Sequence, residues 1–448
     1  MQTELKATSP LNEWLSYLEN SHFKAIDLGL ERVKSVAQAL DLLTPAPFVI
    51  TVGGTNGKGT ICRLLETILL SAGYRVGVYS SPHLLRYNER VRIQNQELED
   101  MLHTASFAYI EQHKTQSLTY FEFSTLSALH LFKQANLDVV ILEVGLGGRL
   151  DATNIVDNHM AVITSIDIDH TDFLGSTREQ IGFEKAGIFR AHKPVIIGEP
   201  NIPQTMLNHA NTLGSQLFCR HLDWTFNQQE QHWTWQTVQP EQKVRWDFLA
   251  DLPLCQIPLA NAATAIAAVQ KLPFDISLET VKKSLAEVEL TGRFQTIKPA
   301  QLTHLAQKLQ REVTTLPRII IDVGHNPHAA RYLAEKLTAL KAQSHGKLIA
   351  VCGILKDKDA VGVLTPLLSL IDEWRCVTLD GYRGQRGADL FVTLQQVAAQ
   401  HRLNVKGGYA DSVAEGVKSA VEISYENDTI LVFGSFHTVG EFLTFSQA

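Results

Sequence analysis

Long apolar runs are missing from this chain. None approaches the roughly 20 residues that a bilayer-spanning helix needs, and the start, Met1-Gln2-Thr3-Glu4-Leu5-Lys6, lacks the apolar core of a signal peptide. Cysteine is scarce: five in 448 residues, at positions 62, 219, 255, 352 and 376, odd in number and never spaced as C-x-x-C. They read as free thiols in a reducing compartment, so the chain is expected in the cytoplasm. Excess positive charge is absent too. Lys and Arg total 40 against 47 Asp and Glu, a net charge of −7, which argues against a nucleic-acid partner held by bulk electrostatics. Repeats and low-complexity tracts are also lacking. What remains, 45% hydrophobic and 19% charged residues, is ordinary globular composition. At this length it predicts two domains, or three.

Glycine, by contrast, is concentrated where it matters. Phe48-Val49-Ile50-Thr51-Val52 reads as a strand buried on both faces of a parallel sheet. Gly53-Gly54-Thr55-Asn56-Gly57-Lys58-Gly59-Thr60 follows directly, and its glycines let successive N–H groups turn inward. Ile61, Leu64, Leu65, Ile68 and Leu69 then share one face of a helix that Gly73 would end. Strand, glycine loop, lysine and helix N-terminus make a phosphate cradle; a plain glycine turn is the bland alternative. In the strict loop the lysine is followed at once by Ser or Thr, whereas Gly59 here separates Lys58 from Thr60. That variant resembles the loop of the Mur-ligase superfamily of ATP-dependent amide-bond ligases.

Strands and helices alternate along the rest of the chain. Helices are predicted at about 11–20, 31–42, 97–113, 120–134 and 177–190, and strands at 75–79, 138–143, 160–166 and 194–198. This predicts a mostly parallel, doubly wound α/β sheet with ligands at the carboxyl ends of its strands. Residues 218–258, with Trp224, Trp233, Trp235 and Trp246 among alternating polar residues, predict a small antiparallel patch packed on that sheet. Helices return at 261–271 and 278–288. The expected division is a first domain, 1–296, a linker, 297–317, and a Rossmann-like α/β domain, 318–448. Strands of the last are expected at 318–323, 347–353, 375–379 and 429–433, with helices from 327, at 387–401 and at 411–423.

Polar residues cluster at the predicted strand ends. Glu143 closes one strand, where P-loop enzymes hold Mg²⁺ near the β- and γ-phosphates. Ser81, after another, could add a hydroxyl, and His170 lies among Asp167, Asp169 and Asp172. Lys185 stands beside Glu184, which composition alone reads as an ion pair on a helix face. Asp322-Val323-Gly324-His325-Asn326-Pro327-His328 suits hydrogen bonding to a ribose or an amino acid; a capped helix start is the alternative.

With the glycine loop, Ser80-Ser81-Pro82-His83, residues 142–154, Asp169-His170-Thr171-Asp172, residues 184–189, Asn261-Ala262-Ala263-Thr264, Gly292-Arg293-Phe294, residues 322–328 and Gly434-Ser435-Phe436-His437 in order, the chain resembles the folylpolyglutamate synthase family. The likeness is to its bacterial form, which is also dihydrofolate synthase. Segments 200–258 and 297–317 carry no matching motif. The resemblance implies an ATPase domain followed by a Rossmann-like domain, with the active site in the cleft between them. Thr55, Asn56, Gly57, Lys58, Gly59 and Thr60 would hold ATP phosphates, and Asn261 and Arg293 would touch ATP from the first domain, Asp322 from the second. Ser81, Glu143 and His170 would hold Mg²⁺. Lys185 would be carbamylated, a cation turned into a carboxylate-like ligand for a second Mg²⁺. His325 would lie near the amino acid. Ala25, Ile26, Asp27 and Leu28, then Thr119, Tyr120, Phe121 and Glu122, then Leu150, Asp151 and Ala152 would hold the pterin. K⁺ is a compatible further cofactor, and a monomer is expected.

The implied chemistry meets a physical need, because attack on a carboxylate must expel oxide from an anion. Phosphoryl transfer from ATP gives an acyl phosphate, which the amine of L-glutamate attacks, releasing phosphate. Acid substrates would be dihydropteroate and reduced folates. The competing readings are folylpolyglutamate synthase activity alone, a muramyl-type ligase, and a P-loop nucleotide switch. The first helices lead straight to the ATPase domain at residue 48, without the extra N-terminal domain of muramyl ligases, and switch proteins usually keep Lys-[Ser/Thr] contiguous.

Overall fold

The structure, a computed structural model, describes residues 5–239 and 244–447, so the first four residues of the N-terminal hexapeptide lie outside it. Two compact units divide between Glu289 and Leu290. The first is built on an eight-stranded sheet of β1 (Phe48–Gly53), β2 (Val76–Tyr79), β3 (Val91–Ile93), β4 (Gln96–Glu97), β5 (Val139–Glu143), β6 (Met160–Ile163), β7 (Pro194–Ile197) and β8 (Gln216–Cys219). Their order is β4-β3-β2-β5-β1-β6-β7-β8. All neighbours pair in parallel except the β2–β3–β4 edge.

Strand alternation explains why the sheet is covered on both faces. Ile50 and Val52 of β1 and Val139 and Ile141 of β5 bury into one core, beside Ile61, Leu64, Leu65 and Ile68 of the phosphate-loop helix. Val49, Val140 and Leu142 point the other way, toward Phe123, Leu126 and Leu129 of the helix Tyr120–Gln134. Because β5 and β6 flank β1, their carboxyl ends fall on either side of the glycine loop. Strand order alone sets Glu143 and residues 164–170 around it.

The tryptophan segment is the antiparallel sheet β9 (Trp224–Gln228), β10 (His232–Thr237) and β11 (Phe248–Pro253). It packs on the helix Leu259–Lys271, the Trp235 indole donating to the Ala263 carbonyl at 3.1 Å.

The second unit holds β12 (Gln295–Thr296), β13 (Arg318–Asp322), β14 (Leu348–Cys352), β15 (Glu373–Val377), β16 (Gly407–Ala410) and β17 (Thr429–Phe433). The order is β12-β13-β17-β14-β15-β16, parallel but for β12. Residues 297–317, expected as a linker, are part of this unit. They form the turn Pro299–Leu302 and the helix Thr303–Lys308, with Leu302, Leu305 and Ala306 buried. Arg311 donates to the Val421 carbonyl at 2.9 Å, which fixes the segment from its far end.

Candidate active site

The phosphate loop runs from β1 into the helix Lys58–Ser71. Gly57 takes φ +86°, and a Cβ there would stand 2.6 Å from the Asn261 amide. Gly54 takes φ +138°, with a Cβ position 1.8 Å from Thr164 Oγ1. Both positions therefore need glycine for conformation and for space. The end of β6 holds the loop: Thr55 N donates to the Ser165 carbonyl at 2.7 Å, Thr55 Oγ1 to the Asp167 carbonyl at 3.0 Å, and Thr164 Oγ1 to the Asn56 carbonyl at 2.6 Å. Thr60 is buried on the first helical turn. Asn261, expected to touch ATP, lies against the loop.

Two lysines meet this loop. Lys58 Nζ turns back onto the Gly54 and Thr55 carbonyls at 3.1 and 3.3 Å. Lys185 Nζ donates to the same Gly54 carbonyl at 2.9 Å from a fully enclosed position. Burial, followed by repulsion from Lys58, brings the Lys185 pKa down to about 7; Asp169 and Asp151 oppose the shift. Glu184, the neighbour that suggested an ion pair, pairs with Arg149 at 2.8 Å.

Glu143 sits at the end of β5, 6% exposed, accepting from Ser81 N at 3.3 Å. Its oxygens lie 3.6 Å from the Cβ position of Gly59, in the first turn of the phosphate-loop helix. Ser81, Glu143 and that helix are brought together. His170, at φ +53°, precedes the helix Thr171–Leu174 with its ring 4.0 Å from Asp169. Among the described residues no group of three or more His, Cys, Asp or Glu is set to hold a metal. A buried carboxylate, a serine hydroxyl and a helix N-terminus that draws phosphate oxygens form a hard-oxygen donor set, which suits Mg²⁺.

A buried ion pair ties this corner together, and the sequence reading missed it. Glu66, with no exposed surface, accepts from Arg92 Nη2 at 2.9 Å and Arg63 Nη1 at 3.0 Å. Arg92 Nη1 also reaches Ser80 Oγ at 3.3 Å, linking the phosphate-loop helix to the Ser80-Ser81 turn.

The segments expected to hold the pterin are partly joined. Arg32, unnoticed in the sequence, spans two of them, bonding Asp27 Oδ2 at 2.6 Å and Glu122 Oε1 at 2.9 Å. Ninety residues separate Arg32 from Glu122, a distance no local pattern crosses. Phe121 lies against Gly145, where a Cβ would stand 2.6 Å from its ring. Ile26 and Leu28 are 45% and 38% exposed, Ala25 is exposed, and Leu150 is half-buried. Several of these residues also have structural duties. Thr119 and Glu122 form a reciprocal cap on the helix Tyr120–Gln134. Asp151 accepts from Leu146 N, Thr153 N and Thr153 Oγ1 while burial pushes its pKa up, and Ala152 is buried beside it.

In the second unit Asp322 is a junction. Its oxygens accept from Phe294 N at 2.8 Å and Gly324 N at 2.7 Å, and burial raises its pKa against the nearby Arg293. Arg293 was expected in the first domain and lies in the second unit. Gln295–Thr296 adds itself to β13 as an antiparallel edge, and the Gly292 carbonyl accepts from Val323 N at 2.9 Å. The Arg293 guanidinium stands 5.7 Å from the Phe436 ring centre, and the His325 ring 6.2 Å from it. The His325 Nδ1 contact with the Val323 carbonyl, 3.0 Å, makes that nitrogen the donor.

Comparison with known proteins follows the same two units. The Mur ligase middle domain matches residues 52–268, and the Mur ligase, glutamate ligase domain matches residues 308–436. A Haemophilus influenzae protein named dihydrofolate synthase/folylpolyglutamate synthase is 68% identical over 98% of each chain. An E. coli FolC structure in complex with DHPP and ADP is 50% identical and covers 98% of both chains with a TM-score of 0.89. A Yersinia pestis bifunctional folylpolyglutamate synthase/dihydrofolate synthase complexed with AMPPNP and Mn ion is also 50% identical, covering 99% of both with a TM-score of 0.87.

Proposed function

Because the chain belongs to the dihydrofolate synthase/folylpolyglutamate synthase family of Mur ligases, and is an ATP-dependent ligase, we propose how its residues perform that work. ATP phosphates lie on the N–H groups of residues 55–60, with Lys58 swinging from the loop carbonyls to the transferring phosphoryl group. Asn261, Arg293 and Asp322 contact the nucleotide. The substrate carboxylate, of dihydropteroate or of a reduced folate's glutamyl tail, takes the γ-phosphoryl, and the amine of L-glutamate then displaces phosphate near His325. Pterin rests against residues 25–28, 119–122 and 150–152, the first two of which Arg32 ties together. Positioning and charge neutralisation are the protein's main contributions.

Ser81, Glu143 and His170 would hold one Mg²⁺, and carbamylated Lys185 would help hold a second; bound there, Mg²⁺ neutralises charge on the phosphates. K⁺ is a further candidate ligand of the site. Lys185 carries this reading most directly. A sealed lysine with a pKa near 7 has the neutral amine that CO₂ requires, forming a carbamate and releasing a proton. The five free cysteines, four of them buried, and the lack of any membrane-crossing helix among the described residues support a cytoplasmic enzyme. We propose that it acts as a monomer.

Glu143→Gln tests the metal assignment. It keeps the shape and removes one anionic oxygen ligand, so the Mg²⁺ concentration for half-maximal rate should rise about tenfold or more. An unchanged Mg²⁺ dependence in a folded, active variant would remove Glu143 from the metal site.

A further inference from the structure

Arg90 ends the turn Tyr87–Arg90 and is nine-tenths buried. Its Nε donates to His83 Nδ1 at 2.8 Å, and its guanidinium carbon lies 5.3 Å from the Tyr120 ring centre and 5.8 Å from that of Tyr87. Among the described residues, Nη1 and Nη2 donate no hydrogen bond and no carboxylate pairs with the group. Unlike the sealed ring nitrogens of His103, these two nitrogens remain reachable from outside.

In the same unit Arg92 is paired with Glu66, and the half-buried Arg32 with Asp27 and Glu122. A buried guanidinium without an anion is costly. The two tyrosine faces attract it but offer neither hydrogen-bond acceptors in its plane nor a countercharge. Its surroundings also mark its purpose. His83 follows Ser81 in the turn that meets Glu143, and Tyr120 belongs to the segment assigned to the pterin.

We infer that Arg90 anchors a carboxylate of the folate substrate through Nη1 and Nη2, the pair of donors whose spacing fits a carboxylate. The ligand's identity rests on the acid-substrate reading above. Two sources share this chemistry: the aryl carboxylate of dihydropteroate and the glutamyl α-carboxylate of a reduced folate. The anchor would give this buried charge the acid partner that the described residues do not supply.

The test is equilibrium binding to the full chain with ADP and Mg²⁺ present. The probes are dihydropteroate, its neutral carboxamide counterpart, and tetrahydrofolate, with wild type, Arg90→Gln and Arg90→Lys compared. Wild type should favour dihydropteroate over the carboxamide by about tenfold or more, the factor for one charge-assisted hydrogen bond. Arg90→Gln should bind the two alike while keeping wild-type affinity for the carboxamide, a pattern that loss of packing cannot produce. Loss confined to tetrahydrofolate would assign Arg90 to the α-carboxylate. Equal weakening of acid and carboxamide, or undiminished discrimination together with unchanged tetrahydrofolate binding, would overturn the inference. If Arg90→Gln fails to fold, Arg90→Lys decides, since it keeps the charge but not the fork and should retain a reduced preference for the acid. Wild type binding none of the probes would instead defeat the folate reading itself.

Discussion

Two ammonium groups share the Gly54 carbonyl, Lys58 at 3.1 Å and Lys185 at 2.9 Å, and only the second is sealed from water. The consequence has a definite sign. With a pKa of about 7, roughly half of Lys185 is neutral at pH 7, against about 1 in 3,000 for a lysine at its ordinary 10.5. The neutral fraction, and with it carbamate formation, rises as pH climbs through 7 and falls below it. Folding follows the same direction: the unfolded chain binds the extra proton between about pH 7 and 10.5, so this lysine's cost to stability fades as pH rises across that window. Lys185→Arg should lower ligation at least 100-fold, because a guanidinium stays charged and takes up no CO₂. Lys185→Ala should be partly restored by acetate. Wild type depleted of CO₂ should recover with bicarbonate more fully at pH 8 than at pH 6. Steady-state rates check all three, and an active Lys185→Arg enzyme would return the residue to a structural role. The sequence displayed this lysine but not its environment. Beside Glu184 it read as an ion pair, and only the fold shows that Arg149 has taken Glu184.

At the scale of elements, the turn between β1 and its helix depends on glycine in two separable ways. Gly57→Ala should cost about 1–2 kcal/mol of strain at φ +86° and also push on Asn261, weakening ADP binding about tenfold or more. Gly73→Ala, at φ +90° but with nothing within 4 Å of the Cβ position, should show the strain alone. Melting temperatures and ADP titrations of both variants separate the terms; equal loss of ADP affinity in the two would mean close approach at Gly57 is not what matters. Elements with a strong period were legible in advance. β1, β5 and β17 are continuous apolar runs, and the helix Lys58–Ser71 has a clean apolar face. Those that escaped lack such a period. β3 and β4 are three and two residues long with Arg92 and Gln96 in them, and β16 begins Gly407-Gly408. β12 has two polar residues, and its attachment to β13, a tertiary pairing, decides that Arg293 belongs to the second unit.

For the whole molecule, the contiguous motifs of the site were readable because each is a strand end turning into a loop, where residue type answers to local geometry. The contacts that assemble the site were not. Arg32 to Glu122, Glu66 to Arg92 and Lys185 to Gly54 join residues 90, 26 and 131 positions apart, and no periodicity encodes them. These long-range pairs turn separate motifs into one chemical apparatus. At the centre of this chemistry, ATP's phosphoryl group activates a folate carboxylate for attack by glutamate. The most direct measurement is phosphate release from ATP with dihydropteroate and L-glutamate, together and each withheld, in wild type and Lys58→Ala. The prediction is one phosphate per amide bond formed, dependence on both partners, and a loss of about 10³-fold or more in a folded Lys58→Ala protein. Equal phosphate release without the folate acid, or near-normal ligation by Lys58→Ala, would contradict it.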